Sequence, residues 1–502
     1  MMSDQFIVTI TPPTPNGDLH IGHIAGPFLS ADVFTRTQRL KGARCYLVSY
    51  SDDYQSYLKR KALESGINEV TLAKVNSAKI QESLRMTDIH IDHWLESYEN
   101  RHFEDAVQML YEFGLEHNLI ELKTSLVPYC EHCQIWGYEA FARGGCNHCG
   151  NSSDPSQCEF CAMAPDSPEM TDLRCTLCNQ SLVYKSVERM FLKLPMVAQA
   201  LRTHLEKAPM RTQLRTWLND AFERGLTDWG ITRPGESGLK LYKNEAHRVH
   251  TWFMGQAGYF AALKELSEQS ASPQDAYELL FDPTTHVVNF LGMDCSYSHV
   301  LAYPAQVLLD QRFKFKNVFY TNAFLKLDGV DFSTSRSHAI WVRDLVSDAC
   351  VDSVRFYVSL VTPEEQSENF SVEAFWAWRQ HIFGELLPQI VSAISVPDVS
   401  RKMPHPLMLS EHETDLIRQW QKGAQHDDFS MKSIASVLMQ LLEIIEVQLN
   451  AGEQPRNCIV LFALLSEPTM PRLSQALQQQ LGFDERTAFN ALLGLRQVSK
   501  DE

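Results

Sequence analysis

The chain has 502 residues, room for about two or three domains with ample apolar core. With 44 % hydrophobic and 21 % charged residues it reads as a globular protein rather than a fibrous or low-complexity one. A net charge of −17 argues against broad non-specific nucleic-acid binding, while leaving room for a local basic face.

Phe6–Ile10 (FIVTI) reads as a short apolar strand of a buried parallel sheet. Pro12, Pro13 and Pro15 then forbid helix, and Asn16-Gly17 makes a turn. Asp18 reads as an N-cap, with the helix running on through Ile24–Leu40. His20 and His23 thus fall in its first turns, three residues apart on one face. A helix N-terminus attracts phosphate through its free N–H groups and dipole, and two imidazole donors there can hold ATP phosphates. Gly22, between them, lets an adenine approach the backbone. His-x-x-His alone also occurs as surface histidine or metal ligand; the whole string Pro-x-x-Asn-Gly-x-x-His-x-Gly-His after a strand is far more specific.

Four Cys-x-x-Cys knuckles follow: Cys130/Cys133, Cys146/Cys149, Cys158/Cys161 and Cys175/Cys178. Thiolates two residues apart on a turn clamp one zinc from the same side, and two such turns close a tetrahedron, so eight ligands make two structural zinc sites. The competing reading is a set of disulfides. The sequence shows no signal peptide or transmembrane run, which places the chain in the reducing cytoplasm, away from membranes, where this spacing reads as metal. Which knuckles share a metal is left open by the spacing. Cys45, Cys295, Cys350 and Cys458 are scattered and read as core or pocket residues. From about residue 373 the pattern is helical.

With His20-Ile21-Gly22-His23 following a strand and a Pro/Asn-Gly turn, the chain resembles class I aminoacyl-tRNA synthetases, and within them the methionyl-tRNA synthetase family, as a divergent paralogue. The likeness covers nearly the whole chain. It implies an α/β fold with a split Rossmann (HUP-type) catalytic domain in halves 1–120 and 226–330, interrupted by a connective insertion with zinc knuckles at 121–225. A KMSKS-like loop and linking region (331–372) and a C-terminal α-helical anticodon-binding-like bundle (373–502) complete it. By the same resemblance the knuckles pair in nested order, first with fourth and second with third. Trp217-Leu218 and Leu226–Arg233 look like the return into the second half.

The resemblance also assigns a site. Asp52 matches the carboxylate that pairs with the substrate α-ammonium, a charge-assisted bond that selects amino acids whatever their side chain. Trp252, Tyr259 and His299 match residues around the methionine side chain. Asp294, after Gly292, matches the ribose-binding carboxylate, and Asn16 and Gly22 belong to the ATP side. Other positions have changed. Pro12 and Thr14 stand where the family has leucine and tyrosine, Gly255-Gln256 replaces Ala-Pro, and Cys295 replaces an isoleucine-type wall. Smaller or more polar groups thus replace an apolar ring, and buried polar groups need partners. Methionine or an altered amino acid with a more polar side chain is the expected substrate.

Leu325–Arg336 occupies the place of the KMSKS loop, with Ser333 and Ser335 toward ATP. The family's two lysines are Asp331 and Thr334 here, and losing one preorganised donor costs about 10²–10³ in rate. Arg336, where the family also has arginine, is the leading substitute and is counted with His20 and His23 as catalytic; Lys326, Lys314 and Lys316 are further candidates. The anticodon-reading Asn, Arg and Trp fall at Pro388, Ser392 and Arg456. Basic clusters at Lys185–Arg189 and Arg211–Arg215 could line an acceptor arm. The chain therefore reads as an ATP- and Mg²⁺-dependent ligase that forms an aminoacyl adenylate and transfers it to tRNA, a small molecule or a protein. The alternatives are a non-catalytic binding paralogue with a degenerate loop and, on the knuckles alone, a nucleic-acid adaptor.

Overall fold

The computed structural model describes residues 4–236, 238–241, 244–269, 276–332, 338–394 and 409–482. A five-stranded parallel sheet organises the chain: β1 (Gln5–Ile10), β2 (Arg44–Ser51), β3 (His93–Glu96), β4 (Thr285–Gly292) and β5 (Lys316–Asn322), in spatial order β5-β4-β1-β2-β3. The anticipated FIVTI strand is its centre, in register with both neighbours from Phe6↔His286 and Phe6↔Cys45 onward. Alternate residues point to opposite faces. Phe6, Val8 and Ile10 join one core cluster and Ile7 the other, which is why this strand is apolar on both faces, with Thr9 the exception, donating to Asn289 Oδ1 at 3.0 Å. The order reverses between β1 and β4, so a crevice opens at the carboxyl ends of those strands.

The helix after the Pro-rich turn departs from expectation at both ends. Asp18 is not its cap. Its Oδ1 accepts from the Leu19 N–H (2.8 Å) and the Ser83 hydroxyl (2.7 Å), and its Oδ2 takes the Arg343 guanidinium at 2.8 Å. His20 stands at the cap, followed by one α-turn (Ile21–His23), a π-turn (Ile24–Phe28) and the regular helix Leu29–Leu40. Pro27 sits inside the π-turn. Lacking an N–H, it cannot carry the i→i−4 ladder through, and a wider turn absorbs the fault.

Between β3 and β4 the chain leaves the sheet as a long antiparallel ribbon, Ile120–Cys130 with Val183–Leu192, and the knuckles lie at its far end. The helices Glu411–Gly423, Met431–Asn450, Arg456–Leu465 and Pro471–Leu481 share one apolar core with the sheet face that carries Phe6 and with Phe34 of the helix Leu29–Leu40. Met431–Asn450 is long and apolar enough, by length and composition, to cross a membrane; its Ile434, Leu438, Leu441 and Ile445 are buried in that core.

Arg355, on the helix Val351–Leu360, pins these layers together. Its guanidinium is fully buried and donates to Asp32 Oδ2 (2.7 Å) and to the carbonyls of Thr87 (2.9 Å), Pro468 (2.9 Å) and Thr469 (2.9 Å).

Candidate active site and metal centres

His20 and His23 face the crevice at the carboxyl end of β1, their ring centroids 3.8 Å apart. The His20 backbone N–H donates to His23 Nδ1 at 3.1 Å, so the proton of the His23 ring sits on Nε2, free to donate outward. Among the described residues His20 Nδ1 has no hydrogen-bond partner. Burial, with its neighbour His23, pushes His20 down to about 2, and burial pushes His23 down to about 4. Both rings are neutral at physiological pH and act as donors, not as cations.

Phe332 lies flat on His20, with centroids 4.8 Å apart and planes 11° from parallel. A Cβ at Gly22 would come within 3.0 Å of the His20 ring and 3.5 Å of Phe332. The bare face of Gly22 therefore lies beneath the Phe332 ring, at the start of the expected KMSKS-like loop. That loop begins as a hairpin in which Asp328 (φ 48°) and Gly329 (φ 83°) make the turn between Leu325–Leu327 and Val330–Asp331. Asp331 is exposed and paired with Lys326 across this hairpin. Thr334 and the expected Ser333, Ser335 and Arg336 lie outside the described residues. Lys314 and Lys316 do not serve as substitutes: Lys316 opens β5 and Lys314 precedes it, at the end of the sheet opposite the crevice. A strand of that length puts them about 20 Å from its carboxyl end.

At the same carboxyl edge of the sheet is a cavity of about 210 Å³, lined by Thr14, Asp52, Trp252, Asp294, Cys295 and His299 among others; His20 and His23 are not in its lining. Asp52 follows β2; its Oδ1 accepts from the Thr251 hydroxyl (2.6 Å) and its Oδ2 from Gln55 Nε2 (2.6 Å). Burial still lifts its carboxyl to about 7. Asp294 follows β4, and burial together with nearby Glu159 lifts it to about 6. A Cβ at Gly292 would collide with the Asp294 carboxylate, so glycine there makes room for the acid rather than meeting a ligand directly.

His299 lines the cavity with Tyr259 behind it. His299 Nδ1 is 3.2 Å from the Cys295 carbonyl, and its Nε2 is 3.1 Å from the Tyr259 hydroxyl, which donates to the Ile10 carbonyl at 3.1 Å. Tyr259 is thereby a buttress behind His299, not a wall, and Gln256 also lies off the cavity lining. Gly255 leaves space for the Tyr303 ring, with which any Cβ there would collide. Asn16 is exposed on the turn.

Sequence reasoning missed Gln55, Tyr57, Asp154, Gln157, Ser298 and Tyr303, all of which line the cavity. Gly255, small where the family has a side chain, was the one signal that something else fills the space. Asp154 and Gln157 carried none, because they belong to the insertion and reach the cavity only through tertiary folding. A second buried cluster ties the insertion down: Glu139 Oε1 lies 2.7 Å from His250 Nδ1 and 3.7 Å from Arg233 Nε. Burial opposes its charge, but His250 and Arg233 hold its carboxyl at about 2.

The cysteines form two quartets, Cys130/Cys133/Cys175/Cys178 and Cys146/Cys149/Cys158/Cys161, with all sulfurs of a quartet within 4.8 Å of one another. This is the nested order. The residue after each second cysteine (Gln134, Gly150, Ala162, Asn179) has φ between 56° and 76°. Four unlike residues share that left-handed turn, so the ligand geometry sets the backbone and not residue preference. Cross-knuckle Sγ–Sγ distances are 3.5 and 4.0 Å in one quartet and 3.9 and 3.7 Å in the other. A tetrahedron with bonds of ~2.3 Å has edges of about 3.8 Å. The donor set fits zinc, and no disulfide is present among the described residues.

The expected basic path is thin. Arg211 is buried, with Nε on the Thr321 carbonyl (2.9 Å) and Nη2 on Glu364 (3.3 Å), and Arg215 donates to the Leu205 and Ala208 carbonyls. Arg189 donates to the Ser125 hydroxyl at 2.7 Å, while Lys185 is exposed over Tyr129. Pro388 and Ser392 are exposed one turn apart on Leu387–Ile394, and Arg456 begins Arg456–Leu465.

The family model of class I tRNA synthetases (M) matches residues 6–394, well over half the chain. The chain belongs to that family. It is a methionyl-tRNA-synthetase-like ligase by descent. The methionine–tRNA ligase of Thermomicrobium roseum is 28 % identical over 436 residues, covering 84 % of this chain and 74 % of that protein. That of Thermoplasma acidophilum is 27 % identical over 377 residues, covering 74 % and 69 %. The structure of Mycobacterium tuberculosis methionyl-tRNA synthetase in complex with methionyl-adenylate superposes with a TM-score of 0.74 at 17 % identity, covering 98 % of this chain and 97 % of that one. At that identity the likeness speaks for the fold, which is the expected α/β frame with a helical C-terminal region.

Proposed function

We propose that this chain condenses an amino acid with ATP to an aminoacyl adenylate and passes the acyl group to an acceptor. The observation that carries the reading is that Asp52 after β2 and Asp294 after β4 line one cavity at the carboxyl edge of the sheet, the edge from which the turn after β1 leads to His20 and His23. Asp52 holds the α-ammonium. The substrate carboxylate oxygen attacks the α-phosphorus, its bond to the bridging oxygen breaks, and the electron pair leaves with pyrophosphate. His23 Nε2–H and His20 stabilise the moving phosphates as neutral donors, and Asp294 accepts from the ribose. Mg²⁺ accompanies ATP, and zinc in each cysteine quartet holds the insertion. No side-chain nucleophile is needed, since positioning and charge stabilisation carry such chemistry. Phe332 over Gly22 must yield before a nucleotide lies there. The comparisons give the non-catalytic reading no support.

Arg211 and Arg215 are engaged internally, and the anticodon-reading positions carry Pro388, Ser392 and Arg456. These features favour, as a second reading, an amine or hydroxyl acceptor other than a methionine tRNA.

His23→Ala is expected to lower amino-acid-dependent ATP–pyrophosphate exchange about 10²–10³-fold, with only the small loss of stability that follows from removing its capping bond to the His20 N–H. Exchange at the parent rate would overturn the reading. The pH profile supplies a second check. Asp52 must be ionised to hold the ammonium, and burial lifts it to about 7, so kcat/KM should climb with pH and level off above that value. Both histidines are neutral throughout this range. A profile that instead falls through pH 6–7 would assign the limb to a protonated imidazole.

A further inference from the structure

The cavity is lined by more carboxyl groups than an α-ammonium and a ribose would engage. Besides Asp52 and Asp294 it is lined by Asp154 and Glu159, and no Lys or Arg lines it among the described residues. Asp154 comes from the loop between the two inner knuckles. Its Oδ1 accepts the backbone N–H groups of Ser156 (2.7 Å) and Gln157 (2.9 Å), and its Oδ2 accepts the Tyr57 hydroxyl (2.7 Å). Those bonds hold a buried carboxylate in the lining of the cavity that Asp52 also lines.

A second observation points the same way. Gln55, only 4 % exposed, donates its Nε2 to Asp52, which fixes its Oε1 as an acceptor, and that atom has no partner. An orphaned buried acceptor beside buried carboxylates calls for an N–H donor. A single metal ion does not meet the need. Among the described residues only the two cysteine quartets bring three or more ligand atoms within one ion's reach. Acids spread around a cavity suit an extended organic cation with charge at both ends. The walls agree, since Thr14, Cys295 and Ser298 line the cavity, and the Tyr303 ring fills the space next to Gly255.

Resting on the adenylating reading above, we propose that the amino acid activated is one with a basic side chain, its second cation held by Asp154, Tyr57 and Gln55 while Asp52 holds the α-ammonium. Burial lifts Asp154 to about 6, as it lifts Asp52, and a bound cation opposite would relieve that cost.

The test is ATP–pyrophosphate exchange with diaminopropionate, diaminobutyrate, ornithine, lysine and arginine beside methionine, norleucine and glutamine. Exchange led by a basic amino acid is expected. Asp154→Asn should then lower its kcat/KM about 10- to 100-fold, mainly through KM, with little change for the neutral amino acids. Tyr57→Phe, which leaves the loop's backbone bonds intact, should do the same more weakly and guards against a folding defect in the first variant. Exchange led by methionine or another neutral amino acid, or an equal loss for all substrates in both variants, overturns the inference while adenylation stands. Exchange with none of them removes the adenylating reading itself.

Discussion

Stripping metal from this chain with a chelator is expected to unfold the insertion and leave the parallel sheet folded. The segment that carries the knuckles has almost no apolar core of its own: Ala142, Met170 and Leu173, with Leu182 packed against them. So small a core cannot offset the conformational entropy of ordering the segment, and metal is what supplies the difference. Structural zinc contributes on the order of 10–16 kcal/mol of apparent binding free energy in finger peptides near pH 7. The chain should therefore bind two zinc ions by elemental analysis, and Cys146→Ser or Cys149→Ser should remove one of them. Limited proteolysis should then cut between residues 130 and 178 while the helical core resists. The inner quartet brackets Asp154 and Gln157, so its loss should also weaken amino-acid binding. Normal stability and full exchange with Cys146 and Cys149 both changed to serine would refute a structural role for that site.

Asp32→Ala is expected to cost about 3–5 kcal/mol of unfolding free energy in urea titrations, because it leaves a fully buried guanidinium without its counter-charge. Arg355 would keep the carbonyls of Thr87, Asp88, Pro468 and Thr469 but no carboxylate. Arg36, 2.8 Å from Asp32, would lose its nearest carboxylate as well. The double change Asp32→Ala with Arg355→Met should be less destabilising than the sum of the two single changes, since each single change strands the other charge. Acid provides the same test in the parent chain. Burial opposes ionisation of Asp32, but Arg355 and Arg36 hold its carboxyl below the usual range. A carboxyl depressed in the folded state contributes stability that is present above its unfolded value, about 3.9, and is lost as pH falls through the folded value. The parent should lose stability below about pH 4 more steeply than Asp32→Ala. Equal acid profiles would remove this pair from the account of the fold.

The local features of the fold were legible because they depend on period and spacing. A largely apolar run, FIVTI, announced β1 as a strand buried on both faces, and Pro13, Asn16 and Gly17 announced the turn that presents His20. The cysteine spacing announced four knuckles, but their nested pairing appears only in the folded chain, since a Cys-x-x-Cys turn is the same whichever partner it meets. Asp18 was misread as a cap because a short carboxylate near a helix start has two uses. Its partners Ser83 and Arg343 are 65 and 325 residues away, invisible to local pattern.

By itself the sequence carried the family resemblance, the histidine pair, the acid after β2 and the eight clustering cysteines, for each is a chemical type at a fixed short spacing. Only tertiary structure decided the character of the substrate cavity. Its acidity arises where the inner knuckle segment, the turn after β2 and the turn after β4 converge, and burial there changes what each carboxyl asks of a ligand. Spacing along a chain encodes ligands and turns. The charge of a cavity is a sum over residues that only folding brings within reach of one another.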